Sequence, residues 1–317
     1  MEHALNLKFH QKKKKMPRSR IIFIICMIAY PLIQFAVFWV YVNFDMIIMS
    51  FQRLDYSTGQ EIFVGWYNFS WMWDQLTSPH LPTLRNSILN SIYLFLSNNF
   101  VLLPISIFFA YLLSKKMPGS GFFRVVFFLP NIISVVVLTM CFAFMFDSTF
   151  GPVNAFLKAV GLGGIIPSAG WLGDKNTVMW MVLLYCLWAG IGYNVVLLSG
   201  AISRIPKEVL EAGKMDGIGM WREFFCVIIP MIGGTITTLF VSGIAVIFTL
   251  FLQPMLLTAG GPYDGLSSTI ALFIVNLVNS GQLYRASATG LFFTIISIPV
   301  VVLFKTGIEK LFPTVEY

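Results

Sequence analysis

Charge is what this chain has least of. Only 11% of its 317 residues are charged, against about 25% in ordinary soluble domains. Cysteine and histidine are scarce as well. Cys26, Cys141, Cys186 and Cys226 each lie inside an apolar run with no CxxC spacing, which reads as small packing residues. His3, His10 and His80 are scattered outside those runs, which excludes an evident metal site. No glycine-rich phosphate loop ending in Lys-Ser or Lys-Thr occurs, so the chain has no such route to bind ATP. No H-E-x-x-H, G-x-S-x-G or paired intramembrane carboxylate is present, which leaves an enzyme without visible catalytic groups.

What is abundant is apolar surface. Hydrophobic residues make up 57% of the chain, with 31 Phe and a mean hydropathy of +0.80. A bilayer span needs about 20 apolar residues. Six runs qualify: 21–44, 88–113, 122–146, 178–202, 224–252 and 286–304. The expected fold is therefore an all-α polytopic membrane protein of six transmembrane helices. The first run is too long for a cleavable signal and reads as a retained anchor. None of the six runs contains Asp, Glu or His, and Arg124 lies at the end of its run. Carriers driven by protons or sodium commonly use intramembrane ionisable groups, so their scarcity argues against a self-powered carrier.

The few charges are unevenly placed. Of 21 Lys and Arg residues, 16 fall beside the first run, between the second and third, between the fourth and fifth, and after the sixth. Only Arg53, Arg85, Lys158, Lys175 and Arg285 fall on the other side. The positive-inside rule then puts both termini and the 203–223 connection in the cytoplasm. The net charge of +7 is explained by topology and not by nucleic-acid binding. Of the opposite loops, the one near 50–85 is rich in aromatics, including Trp66, Tyr67, Phe69, Trp71 and Trp73. It reads as an interfacial belt or as a docking surface for an external partner. A second loop, 147–177, predicts a short helix near 153–160.

Uncharged polarity remains inside the runs. Asn98, Asn99, Asn131, Tyr193, Asn194, Thr249 and nearby Gln253 either hydrogen-bond between helices or line a path for a hydroxyl-rich solute. Gly190 and Gly192 thin the fourth run, making room for a ligand or a neighbouring helix. Pro104, Pro130, Pro230 and Pro299 permit kinks.

One charged island stands out, Ile205-Pro206-Lys207-Glu208-Val209-Leu210-Glu211-Ala212-Gly213-Lys214-Met215-Asp216-Gly217. Pro206 suits a first helical position. Glu208 and Lys214 suit the helix dipole, and Gly217 can supply a left-handed stop. A capped, charged helix between membrane runs reads as a handle for something outside the bilayer.

Glu211-Ala212-Gly213, Gly217, Val227, Ile229 and Pro230 resemble the EAA loop of bacterial ABC importer permeases. Gly213 replaces the second alanine of that signature, Val227 its isoleucine and Ile229 its leucine. Asp216-Gly217, Trp221, Gly151-Pro152-Val153-Asn154, Gly170-Trp171-Leu172 and Thr258 to Pro262 resemble the sugar-importer branch. The resemblance implies a maltose-type (type I, MetI-like) permease fold in a bacterial cytoplasmic membrane. Its implied organisation is a basic segment 1–20, an anchor and external loop 21–84, a transmembrane core 85–310 with its EAA loop at 203–230, and a tail 311–317. The implied partners are a second homologous permease, two ATPase subunits that use ATP and Mg²⁺, and an external solute-binding protein. The chain itself is implied to bind no cofactor. The resemblance implies ATPase coupling through Glu208, Glu211, Ala212, Gly213, Asp216 and Gly217. It places Tyr193 in the solute path, with Gly190, Asn194, Thr249 and Gln253 nearby. The implied solute is a carbohydrate, with glycerol phosphate as the alternative.

Overall fold

The computed structural model describes residues 18–55, 57–115, 117–258 and 265–311. The lysines at 8–15, residues 259–264 of the Gly-Gly-Pro loop, and the tail 312–317 lie outside them. The chain opens with α1 (Arg18–Ser50). A hairpin follows, β1 (Gln52–Leu54) and β2 (Glu61–Phe63), antiparallel with Arg53 opposite Ile62. Then come α2 (Tyr67–Thr77), α3 (Thr83–Ser114), α4 (Ser120–Ile132), α5 (Val135–Met145) and α6 (Pro152–Ala159). After α7 (Val178–Ser203) the chain forms the short α8 (Lys207–Met215), then α9 (Met220–Met231) and α10 (Gly233–Thr249). It closes with α11 (Leu252–Thr258), α12 (Ile270–Asn279) and α13 (Leu283–Leu311). The fold is thus mostly helical, and the small hairpin amends the all-α expectation.

Four of these helices, α1, α3, α7 and α13, are long and apolar enough to cross a bilayer. The other two expected spans are not straight. The chain bends by 105° between α4 and α5, and by 72° between α9 and α10. The first bend follows Pro130, with Ile133 and Ser134 in extended conformations. At the second, Ile232 leaves the helical region between Pro230 and the Gly233-Gly234 pair. The described residues therefore hold four spans, or six when each bent pair crosses as one.

Two π turns also trace to proline. Asn98–Leu102 in α3 ends two residues before Pro104, and Phe224–Ile228 in α9 ends two before Pro230. A proline ring cannot donate to the carbonyl four residues back and crowds it. Here that carbonyl belongs to Phe100 or Cys226, inside each π turn. The widened turn relieves the clash.

The main core draws Leu103, Ile107 and Tyr111 of α3, Leu198 and Ile202 of α7, Ile228 of α9, Ile244 of α10 and Phe293 of α13 into one cluster. By contrast, the most apolar stretch of α1 is 0% buried, and its last part lies along α13. That bare surface is what a helix facing lipid or another subunit presents. Cys26, Cys141 and Cys226 are exposed as well, so within this chain they are not packing residues. At the hairpin end, buried Asn68 donates to the carbonyls of Ser50 (3.0 Å) and Gln52 (2.8 Å). The Arg285 guanidinium lies 4.6 Å from the Trp71 ring centre. Trp71 packs on the core, while Trp66, Tyr67 and Trp73 stay exposed. The expected loop helix is present as α6.

Candidate functional site

Two cavities adjoin where α3, α4, α7 and α10 meet. One, of about 290 Å³, is lined by Ser97, Asn98, Asn131, Tyr185, Gly190 and Gln253 among others. The other, of about 280 Å³, is lined by Asn98, Asn99, Asn131, Tyr193, Asn194 and Ser242 among others. Asn98, Leu102, Asn131, Gly190 and Val246 border both. No acidic or basic side chain lines either one.

The π turn of α3 puts the Asn98–Asn99 pair here, with Leu103 N–H bonding to the Asn98 carbonyl. Such turns gather at functional sites. Asn99 is buried and donates to the Phe95 carbonyl at 3.3 Å. Its amide oxygen has no partner among the described residues. The pair is seated on α10, because a Cβ at Gly243 would come within 2.5 Å of the Asn99 amide. Asn131 donates to the Ala189 carbonyl at 3.2 Å, which ties the α4 elbow to α7.

Of the residues expected in the solute path, Gly190 borders both cavities, Gln253 lines the first, and Tyr193 and Asn194 line the second. Thr249 lines neither. It is exposed, and its hydroxyl donates to the Ala245 carbonyl at 2.9 Å. The chain turns at Leu250, which sends Gln253 to the cavity and leaves Thr249 outside. Asn98, Asn99 and Asn131 stood out in the sequence as polar residues within apolar runs, but not as members of one site. Ser97, Ser242 and Tyr185 carried no signal beyond residue type. Gly192 serves a neighbouring helix and not a ligand: a Cβ there would sit 1.9 Å from the Phe127 carbonyl oxygen of α4.

At one end of the bundle, α8 forms as its charges predict, with Glu208 in the first turn and Lys214 in the last. Pro206 precedes the helix instead of starting it; its ψ of 135° is extended. The helix ends in a Schellman turn. Ile218 N–H donates to Gly213 O and Gly217 N–H to Lys214 O, each at 3.1 Å, with Gly217 at φ +68°. Ile205 and Leu210 pack on the core. Glu208, Glu211, Ala212, Lys214 and Asp216 face outward, and Met215 is 89% exposed.

The two glycines of this turn respond differently to alanine. At Gly217 there is open space, yet its left-handed φ of +68° suits no side chain well. Gly217→Ala is expected to cost about 1 kcal/mol. At Gly213 an added Cβ meets only the Ile218 side chain, Cδ1 at 2.6 Å and Cγ1 at 3.3 Å, which can shift by rotation. Gly213→Ala, the residue of the EAA signature, is expected to be close to neutral. Thermal unfolding of the two variants in detergent checks the contrast, and equal losses would contradict it.

Beyond the turn, α9 is bound to the end of α3. Lys115 Nζ donates to both Glu223 oxygens, at 2.7 and 2.6 Å, and Glu223 is 8% exposed. Tyr111 Oη donates to the Met220 carbonyl at 3.2 Å. The Phe108 and Trp221 rings stack, 5.9 Å apart and 8° from parallel. Partial burial works to lower the Lys115 pKa, but its hydrogen bonds to Glu223 and Tyr111 outweigh that and hold it above its ordinary value. The ammonium's contribution is therefore complete at neutral pH and is lost only as pH rises through that raised value. Among the described residues, no group of three or more His, Cys, Asp or Glu side chains could hold a metal ion.

The binding-protein-dependent transport system inner membrane component family matches residues 102–316, more than half of the chain. The chain belongs to this family. It is 28% identical over 287 residues to the probable ABC transporter permease protein YurN of Bacillus subtilis, covering 88% of this chain and 95% of that protein. It is 33% identical over 176 residues to the maltose/maltodextrin transport system permease protein MalF of Salmonella typhimurium. That match covers 56% of this chain and spans only 33% of the MalF length. Among solved structures it is similar to a chain of a bacterial alginate ABC transporter in complex with an alginate pentasaccharide-bound periplasmic protein. There the TM-score is 0.78 at 19% identity, over 93% of this chain and 97% of that one. The likeness shows a shared fold. The resemblance read from the EAA loop is thereby borne out, and the chain is a multi-pass ABC permease.

Proposed function

We propose that this chain is one of two permease subunits in an ATP-driven importer that moves a neutral oligosaccharide across the bacterial cytoplasmic membrane. An external binding protein delivers the solute. Two separate ATPase subunits use ATP and Mg²⁺ and grip α8, whose end of the bundle faces the cytoplasm with both termini. Family membership supports the machinery, and the sugar-named relatives support the solute class. The observation that carries the solute reading is the cavity pair. Amide and hydroxyl groups of Asn98, Asn131, Tyr193 and Asn194 border it without a single acidic or basic side chain. Neutral hydrogen-bonding groups with an aromatic face suit a sugar. A phosphate ester calls for a cation, and none lines these walls, which disfavours glycerol phosphate. An ion-coupled carrier is disfavoured by the same lack.

Tyr193, 54% exposed at the cavity edge, is the first residue to test. Tyr193→Ala is expected to reduce sugar uptake about tenfold in complexes that still assemble. Thr249→Ala is expected to leave it unchanged. Uptake by Tyr193→Ala at the unsubstituted rate would remove the ring from the path. Uptake without any ATPase subunit would overturn the reading as a whole.

A further inference from the structure

We propose that the Lys115–Glu223 ion pair is the positioning link through which the α8 handle sets the place of the Asn98–Asn99 amides. The inference rests on α8 being the ATPase contact. A handle must reach the cavity walls through something stiff. Along the chain, α8 passes through the Gly217 turn into α9 and then into the 72° elbow at Ile232. Pro230 on one side and Gly233-Gly234 on the other make that elbow a poor transmitter of force.

A second route bypasses it. Glu223 lies one short turn into α9, and both its oxygens are taken by Lys115 at 2.6 and 2.7 Å. Tyr111 Oη on the Met220 carbonyl and the Phe108–Trp221 stack flank the pair. Lys115 directly follows α3, which runs from Thr83 to Ser114 with its π turn at Asn98–Leu102 but without a sharp bend like the 72° elbow. Asn99 lies 16 residues back, about 24 Å along the helix at 1.5 Å per residue. There its amide is seated against Gly243 of α10. The two routes thus leave α9 separately and converge at the same wall of the cavity. The pair is half-buried, with Glu223 inside and a third of the Lys115 side chain exposed. Such a pair adds little stability, and its use is to fix the register of the elements it joins. Here that register is between the helix after the handle and the helix that carries the amides.

The test is a charge exchange in the whole transporter, with its partner subunits and binding protein. Uptake, ATP hydrolysis and the amount of assembled complex are measured for Lys115→Glu, Glu223→Lys and the double exchange. Each single variant is expected to lose about tenfold in sugar moved per ATP hydrolysed, and the double exchange to recover most of it. Tyr111→Phe keeps the ring and removes the hydroxyl that bonds the Met220 carbonyl and supports Lys115. It serves if the single exchanges fail to assemble, with a smaller loss in the same ratio expected. An unchanged ratio in assembled single variants or in Tyr111→Phe overturns the link, as does a double exchange no better than the singles. Glu211→Lys, run alongside, separates the two claims. If it couples normally, the handle reading falls. If it uncouples while the exchanges do not, only the link falls.

Discussion

Glu211→Lys is expected to leave the permease folded in the membrane and to abolish its partnership with the ATPase. Glu211 lies on the outward face of α8, exposed, and makes no ion pair among the described residues. Its loss therefore costs the fold little. Its neighbours on that helix include Lys207 and Lys214. Reversing the charge between two lysines puts a run of cations at 207, 211 and 214 on that face, with Glu208 and Asp216 still beside it, and an unmatched charge at a docking interface costs affinity steeply. Sugar uptake should fall on the order of tenfold or more, with expression and thermal unfolding unchanged. Co-purification with the ATPase is the direct measurement. A Glu211→Lys complex that assembles and imports at the unsubstituted rate would end the coupling role of α8.

The second large effect is expected at Gly192→Ala. The added methyl would lie 1.9 Å from the Phe127 carbonyl oxygen and 2.9 Å from the Asn131 amide nitrogen. A side-chain tip can rotate out of such a clash, but a backbone carbonyl inside α4 cannot. The α4–α7 crossing has to open, and overpacking of this kind costs about 1–3 kcal/mol. Asn131, which borders both cavities, moves with it, so transport should fall too. Gly200 in the same helix is the control, because nothing lies within 4 Å of its would-be Cβ. Gly200→Ala should be neutral or stabilising by up to about 1 kcal/mol. Tm values in detergent decide the comparison. If Gly192→Ala melts no earlier than Gly200→Ala, the close crossing is not what holds this wall.

Much of the fold was legible because hydropathy is a local property. Long apolar runs mark α1, α3, α7 and α13 whatever their neighbours do. The bends were not legible in the same way. Residues 122–146 are mostly apolar, with only Arg124, Asn131, Ser134 and Thr139 polar, so a hydropathy reading passes over the 105° turn at Ile133–Ser134. Pro130 marked a permitted kink without its size. The site divides along the same line. Gly190, Tyr193 and Asn194 share one helix at spacings of three and four, so their common face follows from helix geometry. Thr249 went astray because the helix ends at the next residue.

Local chemistry by itself determined three things here: the membrane class, the capped helix from Lys207 to Met215, and the EAA spacing from Glu211 to Pro230. Each depends on composition or on residues within a few turns of one another. Only the tertiary structure decided which amides share a cavity, which glycine serves a helix crossing, and that Lys115 meets Glu223 across 108 positions. Those outcomes depend on how α3, α4, α7 and α10 cross. Crossing is set by shape complementarity among side chains far apart in the chain, which no local pattern encodes.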